Sequence, residues 1–397
     1  CIRDRAFTEG GTRFYDKSAL WHLQGEYQVT PSWANLTFGG NVRVYLPNSE
    51  GTIFSDTNGV RIINKEAGLY MGANRKFFED RLKVSATARV DKNQNFNFLV
   101  SPAASAVYFL NADHVLRLSL SSAIRNPSLQ EQYLYYNVGR ALLVGNVEGR
   151  DSLVTVPSLY DFFSTKNTDT LNYFDVAKIR PEKVKSAEVG YRATLGDHFY
   201  LDASYYFSMY RDFIGFKVGA DIDVDPQTNG ATINRFYRVA ANSDNIVTTQ
   251  GFSVGLNYYF KKYYMASGNY SWNVLNKLDV DDPIIPAFNT PAHKFNLGFG
   301  GRNIPVKIFG KTIRDVGFNT NFKWVQGFTF EGSPQFTGEV PTYWLLDGQV
   351  NKHIKKIHTT FKLGASNILN RQQLQVFGGP YIGRLAYLSA NVQLDKL

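Results

Sequence analysis

The amino-acid sequence predicts an all-β fold, a transmembrane antiparallel β-barrel in which about 15 strands are present. Three observations predict it. Apolar and polar residues alternate along the chain, and the alternating stretches run for about 11 to 15 residues, whereas soluble strands have about 5 or 6. The connections between these stretches alternate between short and long. A soluble β-sandwich also alternates, so strand length and connection pattern favour the barrel.

The alternation starts near the beginning of the chain and recurs along it. On the first strand, Trp21, Leu23 and Tyr27 fall on one face, and His22, Gln24 and Glu26 fall on the other. The apolar face continues with Leu36, Phe38, Val42 and Val44, then Leu82, Val84, Ala86, Ala88 and Val90, then Phe199, Leu201, Ala203, Tyr205, Phe207 and Met209, and later Phe318, Phe322 and Trp324. Such strands turn one face to lipid and the other to a polar lumen.

The composition excludes most other classes of protein. No apolar run approaches the roughly 18 residues that a spanning helix needs. The single cysteine, Cys1, excludes a disulfide framework or a cysteine metal cluster. The histidines show no metal-ligand spacing and no catalytic order of Ser, His and Asp is found, so we expect neither an enzyme nor a cofactor. The net charge of +9 is spread singly along the chain, which argues against a nucleic-acid partner.

The connections place the strand ends on two sides. Tight turns are predicted at 30–33, 77–81, 110–114, 195–198 and 261–263, and long loops at 46–60, 125–182, 212–245, 275–291, 327–341 and 370–382. The hairpin at 91–95 and a long link at 302–313 are the exceptions. If the C-terminus is periplasmic, every tight turn is periplasmic and every long loop is extracellular, as in outer-membrane barrels.

An odd number of strands predicts that this is not the whole barrel, because bacterial single-chain barrels have even numbers. Each open edge would leave backbone groups unpaired in lipid, at a few kcal/mol each. Either one strand is missed, which gives a sixteen-stranded barrel, or upstream sequence supplies the rest. Residues 1–17 show no alternation, and the opening CIRDRAFTEG has no initiator Met and no signal-peptide pattern, so we expect the chain to begin inside a longer protein. The alternative is that Cys1 is a lipidated terminus.

Six short motifs, in order and at matching spacing, resemble those of TonB-dependent outer-membrane transporters. Within that family they resemble the Bacteroidetes type. They are SSAIRNPSLQE at 121–131, IRPE at 179–182 with SAEVGY at 186–191, Gly251, PAHKFNL at 291–297, the strand at 343–347, and GASNILN at 364–370. The resemblance covers nearly the whole chain. It implies that residues 1–397 are one barrel domain, the C-terminal part of a 22-stranded barrel with a plugged lumen. The ending QLDKL departs from the aromatic terminus usual in such barrels.

Candidate ligand contacts lie in two of the long loops. The loop at 126–181, expected to be extracellular, is longer than a turn needs and carries the candidates Tyr133, Tyr135, Tyr136, Arg140, Tyr160, Phe162, Phe163, Tyr173 and Phe174. Long loops without periodicity are usually functional or disordered. The loop at 370–382 adds Phe377 and Tyr381. These rings could stack on a ligand, or pack on neighbouring loops or a partner.

Other polar residues are predicted to face the lumen or to form a candidate calcium site. The lumen-facing residues are expected to be Arg89, Glu188, Arg192, Asp202 and Lys294, with Glu188 and Arg192 four apart on one strand and able to interact. Asp221, Asp223 and Asp225 have a calcium-like spacing, but Pro226 stands where an EF-hand loop needs glycine. No metal site is expected otherwise.

The resemblance implies an outer-membrane receptor that imports a large scarce nutrient, such as a siderophore, cobalamin, glycan or peptide, using inner-membrane energy. Its expected partners are outer-membrane lipids, a TonB-type energy-coupling protein acting through an N-terminal plug part, and a surface lipoprotein or other outer-membrane subunits. Two alternatives stay open. The chain could be a structural barrel subunit of a larger outer-membrane assembly, or a passive sixteen-stranded porin.

Overall fold

Fifteen long strands form one antiparallel sheet, here the barrel sheet, in the computed structural model, which describes residues 15–139, 141–225, 227, 230–277, 288–331 and 337–393. In chain order the strands are β1 (Ala19–Val29), β2 (Asn35–Leu46), β3 (Asn64–Phe77), β4 (Leu82–Asn93), β5 (Leu99–Phe109), β6 (His114–Arg125), β7 (Tyr135–Asn137), β8 (Leu142–Val144), β9 (Arg150–Thr155), β10 (Tyr173–Val176), β11 (Glu182–Leu195), β12 (Phe199–Arg211), β13 (Ile214–Asp225), β14 (Gly230–Asn242), β15 (Val247–Phe260), β16 (Tyr264–Lys277), β17 (His293–Ile308), β18 (Lys311–Val325), β19 (Phe328–Phe330), β20 (Gly338–Val340), β21 (Tyr343–Ile354), β22 (Thr359–Ser366) and β23 (Leu385–Val392). Two α-helices are α1 (Leu129–Tyr133) and α2 (Val156–Thr165), and neither is long and apolar enough to cross a membrane.

The barrel sheet is a meander in which each strand pairs with the next barrel strand along the chain. Its order is β1-β2-β3-β4-β5-β6-β11-β12-β15-β16-β17-β18-β21-β22-β23. The predicted strand number is therefore confirmed. Among the described residues, β1 pairs only with β2, and β23 pairs only with β22, so the sheet is not closed.

Tight turns lie at one end of the barrel sheet, the turn end, and the long connections lie at the other, the loop end. The loop end also has one short turn, between β4 and β5, at 94–98 and not at the predicted 91–95. The predicted long link at 302–313 is wrong. Strands β17 and β18 continue through it and join at Phe309 and Gly310, both with positive φ. Two register shifts after Gly301 break the alternation there, which hid the strands from a pattern of period two.

The two faces of the barrel sheet differ in polarity. Apolar side chains on one face, the apolar face, are exposed, among them Leu23, Leu69, Leu118 and Leu388. Charged and hydroxyl side chains occupy the other, the polar face. A soluble sheet would bury such an apolar face, so its exposure over many strands is typical of a surface that lipid covers.

Three of the predicted loops are not irregular, and one of them, 327–341, contains the paired strands β19 and β20. The segment 126–181 contains α1, α2 and four short strands, and the segment 212–245 folds into the hairpin of β13 and β14. Together they form a second sheet at the loop end, the cap sheet, with the order β10-β9-β13-β14-β8-β7. Its core contains the buried residues Leu142, Val144, Leu153, Val176 and Val239. Pairing between segments distant in sequence is what the local pattern could not predict.

The connection between β2 and β3 is closed by one carboxylate. Asp56 accepts hydrogen bonds from the backbone N of Ser49 at 2.5 Å, from Ser49 Oγ at 2.7 Å and from the backbone N of Gly51 at 2.8 Å. Burial acts to raise the pKa of Asp56, but these hydrogen bonds outweigh it and hold the pKa below its usual range. The ionised carboxylate therefore stabilises this connection.

We expect this connection to open in acid. Because folding lowers the pKa of Asp56, its contribution is complete above the ordinary aspartate value of about 4, and is lost as the pH falls through the lowered value. Amide exchange at Ser49 and Gly51, corrected for the intrinsic effect of pH, should rise below about pH 4. D56N should exchange faster and show no such step, whereas E50Q, on an exposed neighbour, should keep the step. A step that persists in D56N would contradict this origin.

Candidate functional site

The five residues predicted to face the lumen share the polar face of the barrel sheet. Residues paired across antiparallel strands lie on the same face. Residues at even spacing on one strand also share a face. The paired residues on this face are Arg89 and Ser101, Ser105 and Ser119, Ser119 and Glu188, Arg192 and Asp202, Ser204 and Ser253, Ser253 and Ser271, and Ser271 and Lys294. One polar surface thus extends from β4 to β17.

The ion pairs on this face differ from the expected one. Glu188 and Arg192 are not joined to each other in the described part of the chain. Instead, Arg117 Nη2 donates to Asp202 Oδ1 at 2.6 Å, across β11. Gly190 makes the crossing possible, because a Cβ at this position would lie 2.9 Å from Arg117 Nε. Glu188 and Arg192 therefore keep charges that no described ion pair compensates.

A network of side-chain amides, buried except for Asn95, connects α1 to the barrel sheet. Gln132 is buried, and its Oε1 accepts from Asn64 Nδ2 at 3.0 Å and from Asn95 Nδ2 at 2.7 Å. Gln132 Nε2 donates to the carbonyl of Pro127 at 2.7 Å. Asn93 Nδ2 extends the network to Asn64 Oδ1 at 2.9 Å. Buried amides that are fully paired hold a segment in one position.

Beside this network lies a polar cavity of about 520 Å³, the polar-face cavity. Arg43, Arg89, Glu66, Asp91 and Arg125 are among its lining residues. Arg89 Nη2 lies 2.6 Å from Asp91, and Arg125 Nη1 lies 3.0 Å from Glu131. The cavity is open to the polar face, and its lining carries four cationic side chains, Lys92 being the fourth, against two carboxylates.

The predicted ring contacts of the segment 126–181 are not gathered at one place. Tyr135, Tyr160 and Tyr173 are exposed, and Phe163 is partly exposed, with Lys166 over its ring. Tyr133 accepts a hydrogen bond from Asn95 Nδ2 at 2.5 Å, and Tyr136 lines a separate cavity described below. Arg140 lies outside the described residues.

Three of the predicted rings are part of hydrophobic cores. Phe162, a residue of α2, is fully buried, and Phe174 packs on the core of the cap sheet. Phe377 packs against Val325, Val340 and Tyr343. Phe162 therefore offers no free face to a ligand, whereas Phe174 and Phe377 are only partly buried. Tyr381, in the same connection as Phe377, is exposed.

The calcium candidate lies on a strand and not in a wrapping loop. Asp221, Asp223 and Asp225 occupy alternate positions of β13. Alternate residues of a strand are about 6.5 Å apart, so three such carboxylates cannot enclose one cation with oxygens at about 2.4 Å. Asp223 instead accepts from Asn234 Nδ2 at 3.0 Å. Within the described ranges no group of three His, Cys, Asp or Glu residues is arranged to hold a metal ion.

The loop end contains a second cavity, of about 460 Å³, between α1 and the cap sheet. We name it the cap cavity; it is lined by Ile53, Ser128, Gln130, Glu131, Leu134, Tyr136, Leu143, Val144, Phe216 and Arg238. Arg238 is only 9% exposed, and its guanidinium carbon lies 3.5 Å from the centre of the Phe216 ring. Sequence reasoning missed both residues, because they lie in a segment treated as an ordinary loop.

Arg238 remains charged although it is buried. Burial lowers its pKa to about 10, and the negative charge of Glu331 partly opposes that effect. A guanidinium with this pKa is protonated at neutral pH. It makes no ion pair and no side-chain hydrogen bond with the residues that the structure describes, so its N–H donors are available within the cap cavity.

A family model described as TonB dependent receptor-like, beta-barrel matches residues 3–368. The chain belongs to the TonB-dependent receptor family. The resemblance to this family is therefore confirmed, and the chain is part of an outer-membrane β-barrel. The Bacteroidetes character stays a prediction. A comparison with curated proteins found no relative.

Solved receptors of this type have the same fold at low sequence identity. The siderophore receptor PirA from Acinetobacter baumannii is 15% identical, with a TM-score of 0.60 over 94% of this chain and 54% of that one. A mutant of the ferric enterobactin receptor PfeA from Pseudomonas aeruginosa is 13% identical, with a TM-score of 0.66 over 97% and 55%. The copper transporter OprC is 13% identical, with a TM-score of 0.63 over 94% and 56%. The chain thus spans about half the length of the solved structures it matches.

Proposed function

We propose that this chain forms the wall and the extracellular loops of an energy-coupled importer of a large, scarce solute. The observation that carries the proposal is the polar face, which keeps uncompensated charges at Glu188 and Arg192 beside an apolar face that lipid would cover. Charged groups on a lumen wall need a polar neighbour, either water or a plug. Membership of the TonB-dependent receptor family supports a plug that is moved by inner-membrane energy.

In the same proposal the loop end is extracellular and the turn end is periplasmic. The cap sheet supports this orientation, because long structured connections in outer-membrane barrels face outward and tight turns face the periplasm. The completed barrel has about 22 strands around a plug. A TonB-type protein is the energy-coupling partner, and a surface lipoprotein or other outer-membrane subunits are further partners in this proposal.

The similar structures suggest a broad class of solute and not a single compound. PirA is described as a siderophore receptor, PfeA as a ferric enterobactin receptor and OprC as a copper transporter. By analogy, the proposed solute belongs to the scarce nutrients, such as ferric siderophores and other metal complexes, cobalamin, glycans and peptides, that are too large or too dilute for passive diffusion.

Uptake assays test the proposal. Cells with and without the gene are supplied with radiolabelled ferric siderophores, cobalamin, oligosaccharides or peptides. We expect at least one solute to accumulate only in cells with the gene, and its uptake to fall to background when TonB is deleted or the proton gradient is collapsed. Uptake that survives both treatments would indicate a passive porin. Absence of uptake for every solute, with the barrel co-purifying with partner proteins, would indicate a structural subunit.

A further inference from the structure

The cap cavity contains a feature that folding alone does not explain. Arg238 places a positive charge in a largely apolar enclosure, and transfer of a charge out of water is unfavourable unless it is paired. The Phe216 ring lies over the guanidinium plane and offsets part of that cost. A phenyl ring accepts no conventional hydrogen bond, however. The five N–H donors of the Arg238 guanidinium therefore remain able to bind oxygen.

The other lining residues suit an anion that has an apolar body. Ile53, Leu134, Leu143 and Val144 provide the apolar wall. Ser128 and Gln130 add polar groups at one side. The cavity volume of about 460 Å³ lies within the usual range for small-molecule sites.

One acidic residue also lines the cap cavity, but its charge is already compensated. The Glu131 carboxylate accepts from Arg125 Nη1 at 3.0 Å and from the backbone N of Ser128 at 2.6 Å. It therefore does not neutralise Arg238. Glu331, which also acts on Arg238, belongs to the connection between β18 and β21 and is not a lining residue.

The position of the cavity gives it access to what arrives from outside. It is formed by three separate segments, namely the connection that contains Ile53, the α1 segment, and the hairpin that contains Phe216 and Arg238. Sites between segments can close around a ligand, because small shifts of each segment change the enclosure. The cap cavity lies at the loop end beside the polar-face cavity, and Ser128 lines both.

We propose that the cap cavity binds a solute that carries an oxyanion, a carboxylate or a phosphate, joined to an apolar or aromatic group, with Arg238 donating to the oxyanion and Phe216 fixing the guanidinium plane. The inference rests on the proposed function, since it names the class of solute that the importer would recognise. Arginine binds planar and tetrahedral oxyanions through two parallel N–H groups, which gives both affinity and orientation.

Binding is tested with fluorine-labelled probes and the full-length protein in lipid nanodiscs. Fluorine NMR compares 4-fluorobenzoate and 4-fluorophenyl phosphate, which carry the two oxyanions, with neutral 4-fluorobenzyl alcohol. We expect at least one anion to bind, and the alcohol to bind at least tenfold more weakly, because charge-assisted hydrogen bonds contribute a factor on the order of ten to a hundred. The tighter of the two anions identifies the oxyanion that the site prefers.

R238Q should weaken anion binding by a factor on the order of ten to a hundred, and R238K should lie between R238Q and the wild type, because it keeps the charge and loses the planar donors. The matched control is R235Q, which removes the same charge from the same strand at a residue outside the cavity lining, and should bind as the wild type does. Amide exchange in the cap sheet verifies that each variant is folded.

Three results would overturn the inference: no binding of either anion, equal binding of the alcohol, or unchanged anion binding in folded R238Q. The last would show that Arg238 only packs on Phe216. Because these assays need no proton gradient, binding can succeed while uptake proves passive, which would reject the proposed importer and leave the anion site intact. Energy-dependent uptake without anion binding would support the proposed importer and reject the anion site.

Discussion

Leu118→Arg should prevent the barrel sheet from assembling in a membrane. Leu118 lies near the middle of β6 on the apolar face, and about half of its side chain is exposed. An arginine at the lipid-facing midplane of a barrel costs about 2 to 4 kcal/mol. That is a large share of the net stability of about 5 to 15 kcal/mol usual for a folded protein. Refolding into lipid vesicles, followed by protease resistance, measures the folded fraction.

The control is Ser119→Arg, one residue later on the same strand. Ser119 pairs with Glu188 on the polar face, so a new guanidinium there meets water and an uncompensated carboxylate. This variant should assemble with a yield close to that of the wild type. If Leu118→Arg assembled as well as Ser119→Arg, the assignment of the two faces would be reversed or β6 would not span the membrane.

Gln132→Leu should release the α1 segment from the barrel sheet. Leucine fills a similar volume but accepts no hydrogen bond, so the side-chain amides of Asn64 and Asn95 lose their shared acceptor. A buried donor left unpaired costs about 1 to 3 kcal/mol, and Asn64 is almost completely buried. Limited proteolysis should then cut between residues 126 and 150 at protease concentrations that leave the wild type intact, while the fifteen barrel strands stay protected.

Gln130→Leu serves as the comparison. Gln130 lies on the same helix and is exposed, with no side-chain hydrogen bond to the described residues. This variant should resist the protease as the wild type does. Equal release of the segment by both variants would mean that α1 is held by its apolar contacts and not by the amide network.

The placement of Arg238 illustrates why the cap cavity could not be predicted from sequence. Arg238 and Tyr136 are about a hundred residues apart, and they line one cavity because β14 pairs in parallel with β8, which follows β7. No local pattern predicts a parallel pairing between two loops. The sequence did predict Tyr136 as a candidate contact, because its loop is rich in aromatic residues, but the same criterion also selected Phe162, which is fully buried.

Side-chain amides satisfy backbone groups at the exit of β22. Asn367 and Asn370, in the GASNILN motif, both have positive φ. The Asn367 side chain donates to the carbonyl of Arg371 at 2.6 Å, and Asn370 Oδ1 accepts from the backbone N of Arg384 at 2.9 Å. The contact of Asn367 is four residues along the chain, as in a local turn, whereas that of Asn370 spans 14 residues and depends on how the connection between β22 and β23 folds back.

The sequence by itself determined the number of barrel strands, their two faces and most of their turns, because a strand between lipid and a polar lumen must alternate at every second residue, and this period is local. It also determined the family, through short motifs in a fixed order. Only the tertiary structure decided that two long loops form the cap sheet, that β17 and β18 continue through the irregular region after Gly301, and that the ion pair joins Arg117 to Asp202 and not Glu188 to Arg192. These features depend on pairing across the chain and on side-chain reach, which no period in the sequence records.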